Sequence, residues 1–110
     1  MSQDRPTIST HVLDTAGGAP RAGVRVRLRR TAGDDPGPIV GEGVTDADGR
    51  IRDLLSGGVL ESGAYRLEFA LDPGGFFTGL ALDLRVGDAA RSYHVPLLLA
   101  PFGLTAYRGS

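Results

Sequence analysis

Two histidines, His11 and His94, are the side chains of this sequence that are best suited to acid–base chemistry near neutral pH. Histidine is the residue whose ordinary pKa lies closest to neutrality, so proton transfer falls to these two. The sequence also ends on an aromatic ring, a guanidinium, a glycine and a hydroxyl, in the tetrapeptide Tyr107-Arg108-Gly109-Ser110. The last residues of a domain are usually poorly ordered unless something holds them. We expect this tetrapeptide to lie inside a site.

The composition excludes several other kinds of chemistry. The 110 residues include no cysteine, which removes disulfides, thiolate nucleophiles and cysteine-based metal sites. Two histidines are too few ligands for a structural zinc site of the usual kind, so we expect no metal. All twelve basic residues are arginines, which excludes a lysine Schiff base. The net charge of −1 and the lack of a long apolar segment predict neither a nucleic-acid nor a membrane partner.

Short alternating segments must position these residues. Residues 7–13 alternate with a period of two, which puts Ile8, Thr10 and Val12 on one face and His11 on the other. Residues 24–29, 64–71 and 80–86 repeat the pattern, and Gly and Pro residues separate the segments. Seven or eight short strands predict an all-β fold, a two-sheet antiparallel sandwich. We assign residues 7–110 to a single domain and residues 1–6 to a disordered N-terminal segment.

One predicted strand does not alternate. Residues 95–100 are apolar at nearly every position, so both faces of this strand need cover. In a two-sheet sandwich the outer face meets water unless another chain covers it. The run therefore predicts a subunit interface, and a buried strand beneath a loop is the alternative.

Four segments carry a resemblance that spans nearly the whole chain. They are Ser9-Thr10-His11-Val12-Leu13-Asp14, Thr45-Asp46-Ala47-Asp48-Gly49-Arg50, Gly63-Ala64-Tyr65-Arg66-Leu67, and residues 93–99 running on to Tyr107-Arg108-Gly109-Ser110. In this order they resemble the 5-hydroxyisourate hydrolases, the enzymatic branch of the transthyretin-like family. There are two departures. Ser92 stands where the family commonly has a second histidine, and residues 72–78 form a shorter segment, so we expect the family's short helix to be truncated or absent.

The resemblance implies hydrolysis of 5-hydroxyisourate in urate degradation, by opening of its six-membered ring to 2-oxo-4-hydroxy-4-carboxy-5-ureidoimidazoline, without a metal or organic cofactor. It implies that His11, Arg50, His94 and Ser110 are catalytic. Histidine acid–base catalysis contributes about 10²–10⁴ in rate, and an arginine fork suits a flat polar ring. Which histidine is the base stays open, and so does whether Ser110 acts through its hydroxyl or its terminal carboxylate.

The resemblance also implies roles in substrate binding and in assembly. The substrate-binding residues are expected to be His11, Arg50, Tyr107, Arg108 and Gly109, where the glycine allows a close backbone approach. The implied assembly is a homotetramer, a dimer of dimers with its sites in clefts at the dimer–dimer interface. No secretory signal is visible at the N-terminus, so we expect a cytoplasmic protein.

Two other kinds of protein remain as alternatives. A transthyretin-like carrier shares the fold and binds a small ligand between subunits, but polar, reactive residues would suit an apolar ligand poorly. A non-catalytic β-sandwich module is the second alternative. Considered alone, each histidine is explained as a half-buried residue of a strand, and Arg50 is explained as a solvated residue of a turn. Their occurrence together with the terminal tetrapeptide favours the hydrolase.

Overall fold

Two β-sheets make up this computed structural model, which describes residues 5–32 and 36–109. In these ranges the strands are β1 (Ile8–Asp14), β2 (Ala19–Pro20), β3 (Arg25–Arg30), β4 (Ile39–Val44), β5 (Arg50–Ile51), β6 (Gly63–Ala70), β7 (Gly79–Val86), β8 (Tyr93–Ala100) and β9 (Gly103–Ala106). One sheet has the order β2-β1-β8-β9, with β5 also paired to β1, and the other has the order β4-β3-β6-β7. No helix occurs in the described residues, so the expected loss of the short helix is confirmed.

The predicted all-β sandwich is confirmed, and the apolar positions of the alternating segments point into the core as predicted. Ile8, Thr10 and Val12 of β1 are buried, as are Val26 and Leu28 of β3. Because side chains alternate along a strand, Ser9, His11 and Leu13 of β1 project from the outer face of the five-stranded sheet. Of the predicted N-terminal segment, residues 1–4 lie outside the described residues. The domain boundary at residue 7 stays a prediction.

The pairing of β1 with β8 is parallel, although an antiparallel sandwich is what the alternating segments predict. Two parallel neighbours need a long connection in the sequence. Here the connection from β1 to β8 contains all four strands of the other sheet. The register sets Ser9 opposite His94 and Leu13 opposite Leu98. Ser9, His11 and His94 therefore project from one outer face.

A tight turn before β5 fixes Arg50 against β1. Gly49 has a φ of +76°, and a Cβ there would lie 2.4 Å from the carbonyl oxygen of Val12. Only glycine allows both this left-handed backbone and this close approach. The Val12 N–H donates to the Gly49 carbonyl over 2.7 Å, so the turn is held directly on β1.

Strand β5 is only two residues long. It ends at Ile51, and a turn follows in which the Asp53 carboxylate accepts the main-chain N–H groups of Leu55 and Gly57 over 3.0 and 2.9 Å. Leu54 and Leu55 are buried in the core from this turn. An aspartate that bonds its own following backbone competes with strand pairing, which explains the early end.

Candidate active site

His11, Arg50 and His94 lie on one outer face, formed by β1, β5 and β8. His11 is directly opposite Arg50 in the β1–β5 pair. Residues opposed in this way have Cβ atoms roughly 4.5–5.5 Å apart. His94 is opposite Ser9, two residues before His11 and on the same face. All three side chains are half-buried, so they are accessible and yet partly shielded from water.

A cavity of about 230 Å³ opens on this face. Its lining residues are Ser9, Thr10, Arg50, Ile51, Arg52 and His94. Four of these, Ser9, Thr10, Ile51 and Arg52, were not among the site residues expected from the sequence. The signal for Arg52 is its closeness in sequence to Arg50, since it lies just beyond the end of β5. The cavity joins guanidinium, imidazole and hydroxyl groups, a set suited to a flat polar molecule with several carbonyl oxygens.

The turn before Arg50 also holds His11. Nε2 of His11 lies 2.8 Å from the carbonyl oxygen of Asp48. A carbonyl only accepts, so Nε2 carries a hydrogen and donates it, and Nδ1 bears the lone pair when the ring is neutral. Oδ1 of Asp46 accepts the N–H groups of Asp48 and Arg50, each over 2.9 Å. The hydrogen bond from Arg50 is the main cause of a lowered Asp46 pKa, so this carboxylate stays charged and keeps the turn in place.

His94 is held by a different kind of partner. Its Nδ1 lies 2.8 Å from the Ser9 hydroxyl oxygen. Burial lowers the pKa of His94 below its ordinary 6.5, and the charges of Arg50 and His11 lower it further. The imidazole is therefore neutral at pH 7 and able to accept a proton.

Gly109 brings the end of the described chain against His94. Its N–H donates to the His94 carbonyl oxygen over 2.8 Å. A Cβ at this position would lie 2.9 Å from Cδ2 of the His94 ring, so a glycine is needed for the contact. Ser110 follows directly but lies outside the described residues, and its role stays a prediction.

The structure does not bring Tyr107 and Arg108 into the cavity beside His94. They line a separate cavity of about 330 Å³ at the edge of the sandwich, together with residues of β7 such as Leu82 and Arg85. The Tyr107 N–H donates to the Pro96 carbonyl over 3.3 Å, so the segment runs along β8 before reaching Gly109. The substrate-binding role expected for both residues stays a prediction.

Residues 5–32 and 36–109 contain neither a cluster of metal-ligating side chains nor a membrane-spanning helix. No group of three or more His, Cys, Asp or Glu side chains in these ranges is arranged to hold a metal ion. Nor do these ranges contain a helix long and apolar enough to cross a membrane.

Comparisons with known proteins agree on one family. Residues 8–109 match the model of the HIUase/Transthyretin family. The 5-hydroxyisourate hydrolase of Deinococcus radiodurans is 44% identical over 96% of this chain and 97% of its own length. The Klebsiella pneumoniae 5-hydroxyisourate hydrolase structure superposes with a TM-score of 0.79 at 36% identity, covering 94% of this chain and 99% of that one. Sea bream transthyretin in complex with thyroxine gives a TM-score of 0.83 at 25% identity, covering 93% of each chain. This chain belongs to the HIUase/Transthyretin family.

Proposed function

We propose that this protein is a 5-hydroxyisourate hydrolase that opens the six-membered ring of its substrate in urate degradation. The observation that carries the proposal is the meeting of His11, Arg50 and His94 on one outer sheet face. The relatives from Deinococcus radiodurans and Klebsiella pneumoniae are both named 5-hydroxyisourate hydrolase and match over nearly the full chain, which supports the same activity here.

The chemistry requires a base for water, a cation for the developing oxyanion and a proton for the leaving nitrogen. His94 suits the base, because its lowered pKa keeps the ring neutral at pH 7. It takes one proton from water while the oxygen adds to a ring carbonyl carbon. The negative charge on the carbonyl oxygen forms within reach of the Arg50 guanidinium. The ring C–N bond then breaks as the oxyanion collapses, and the nitrogen takes a proton.

His11 supplies that second proton transfer in our proposal. Its Nε2–H is committed to the Asp48 carbonyl, so its Nδ1 is the nitrogen that meets the substrate. In its protonated form His11 donates from Nδ1 to the leaving nitrogen, and the proton taken up by His94 balances the reaction. The two histidines thus work from neighbouring strands, with His94 opposite Ser9, two residues before His11.

The assembly that we propose is a homotetramer, a dimer of dimers with sites shared between subunits. The outer face of β1 and β8 is polar at Ser9 and His94 and becomes apolar at Leu13 and Leu98, which are opposed in the register. Leu98 is only half-buried within one chain, although β8 is otherwise largely buried. An apolar patch continuous with an open polar cavity is typical of a site that a second subunit covers.

A small-ligand carrier is the alternative activity. Sea bream transthyretin, whose structure contains thyroxine, shares the fold. The two imidazoles and the Arg50 guanidinium lie on the outer face of the five-stranded sheet, and such groups favour a polar substrate over an apolar hormone.

The cytoplasmic location remains a prediction, and fractionation of cells that produce the protein would check it.

The test of the function is the decay of 5-hydroxyisourate with and without the purified protein. A hydrolase accelerates the decay in proportion to its concentration. Decay at the spontaneous rate, together with saturable binding of thyroxine, would instead support the carrier.

A further inference from the structure

We propose that Ser9 is a positioning residue of this site, whose hydroxyl fixes the imidazole of His94 through Nδ1 and leaves Nε2 for the substrate. The proposal rests on the proposed function for its catalytic consequence, but the contact itself can be tested without substrate. Among the described residues, no hydrogen bond engages Nε2 of His94. The nitrogen opposite the Ser9 contact is thus the one left for chemistry.

The register of the sheet places Ser9 where it meets His94. The two residues are directly opposed in the parallel β1–β8 pair, on the same outer face, and the Oγ–Nδ1 distance is 2.8 Å. Both also line the cavity that contains Arg50. On the other side of the ring, Gly109 approaches so closely that a Cβ would lie 2.9 Å from Cδ2. The imidazole is therefore held between the Ser9 hydroxyl on one side and Gly109, the last described residue, on the other.

A hydroxyl suits this position because it both donates and accepts hydrogen bonds. When His94 is neutral with its hydrogen on Nδ1, Ser9 accepts and Nε2 has the lone pair that takes a proton from water. When the ring has taken that proton, Nδ1–H still donates to Ser9, now from a cation. The ring thus keeps one orientation through proton transfer. The Asp48 carbonyl on His11 lacks this freedom, since it only accepts.

The Ser9 contact opposes the other influences on His94. The charged and titratable groups that face His94 from the described elements are His11 of β1 and Arg50 of β5, both of which disfavour a positive charge on His94. Arg52, just after β5, lines the same cavity. A hydrogen bond from a cationic imidazole is stronger than one from a neutral ring. Removing the hydroxyl should therefore stabilise the neutral form further and lower the pKa of His94.

The test compares Ser9→Ala and Ser9→Thr with the wild type, and Ser62→Ala serves as a control at an exposed serine outside both sheets. The pKa of His94 is measured by ¹H–¹⁵N NMR titration, with its signals assigned from His94→Gln. Rates are measured in the same samples. We expect Ser9→Ala to lower the pKa of His94 and to lower kcat by about 10- to 10²-fold with KM nearly unchanged. Ser9→Thr, which keeps the hydroxyl, should restore both, and Ser62→Ala should change neither.

An unchanged His94 pKa in Ser9→Ala would overturn the proposal, and so would a Ser9→Thr variant as impaired as Ser9→Ala. The NMR measurement separates this proposal from the proposed function. If wild-type protein fails to hydrolyse 5-hydroxyisourate but Ser9→Ala still lowers the His94 pKa, the function falls and the positioning contact stands. If the wild type is active and the pKa does not move, the positioning role falls alone.

Discussion

The main-chain N–H of Gly109 donates to the carbonyl oxygen of His94 over 2.8 Å, and a Cβ added at Gly109 would lie 2.9 Å from Cδ2 of the imidazole ring of the same residue. One hydrogen bond therefore joins the end of the described chain to a strand in the centre of the sheet. It brings Gly109, which is 98 positions after His11 in the sequence, onto the strand that pairs with the strand of His11.

Gly109→Ala tests this contact. The new Cβ would lie 2.9 Å from His94 Cδ2, so the ring or the terminal segment must shift. Displacements of this size reduce catalysis by about 10- to 10²-fold. We expect kcat to fall by that amount with little change in Tm. The control is Gly87→Ala, where no atom lies within 4 Å of the added Cβ. Equal activity of the two variants would remove Gly109 from the site.

Arg50→Gln tests the electrostatic coupling to His94. Burial is the main cause of the lowered His94 pKa, and the charge of Arg50 is the next. Removing that charge should raise the pKa, which stays below 6.5 because the burial remains. Since neutral His94 is the proposed base, the loss of activity on acidification should begin at a higher pH in the variant. Turnover itself should fall by about 10²–10³-fold through the lost oxyanion contact.

The measurement for Arg50→Gln is an NMR titration of His94 beside a pH–rate profile. Arg25→Gln is the matched control, because Arg25 is exposed on β3 of the other sheet. A His94 pKa that falls or stays constant in Arg50→Gln would contradict the coupling.

The carboxylate of Asp46 should matter through the turn that it organises. It accepts the N–H groups of Asp48 and Arg50 and forms an ion pair with Arg52 over 3.1 Å. Asp46→Ala should let the Asp48 carbonyl and the Arg50 side chain move, which lowers kcat by about 10-fold or more. Asp46→Asn keeps an acceptor oxygen and should recover most of the rate. If the asparagine variant is no better than alanine, the charge of Asp46 and not its hydrogen bonds supports the site.

A charge at Leu98 tests the proposed tetramer. Leu98→Glu puts a carboxylate into the apolar end of the β1–β8 face, where it would have to be desolvated on association. We expect sedimentation to show dissociation and the assay to show loss of activity in the same variant. Val44→Glu, at an exposed apolar residue of β4, is the control. A monomeric Leu98→Glu protein with full activity would refute the shared site.

The faces of the strands could be predicted from the sequence, because a period of two decides which side chains of a strand are buried. Ile8, Thr10 and Val12 illustrate this, since all three are buried as expected. The parallel pairing of β1 with β8 could not be predicted in this way. It sets Ser9 against His94, residues 85 positions apart, and no local pattern specifies such a register.

The same limit applies to the site. His11, Arg50 and His94 were expected there from a family resemblance, and the register explains why they meet. The contact between Ser9 and His94 was missed because it depends on that register. Tyr107 and Arg108 were expected beside the histidines, yet they line another cavity in the single chain. Their position next to Gly109 in the sequence does not decide which cavity their side chains line.

The most direct test of the account is turnover of 5-hydroxyisourate by wild-type protein, His11→Ala and His94→Ala. The substrate is generated in situ by urate oxidase, its decay is followed by ultraviolet absorbance, and the protein carries no C-terminal tag. Circular dichroism establishes that each variant is folded. We predict that the wild type accelerates the decay and that this acceleration is about 10²- to 10⁴-fold smaller in each variant. A folded wild-type protein that leaves the spontaneous rate unchanged, or a His94→Ala variant with full activity, would contradict the account.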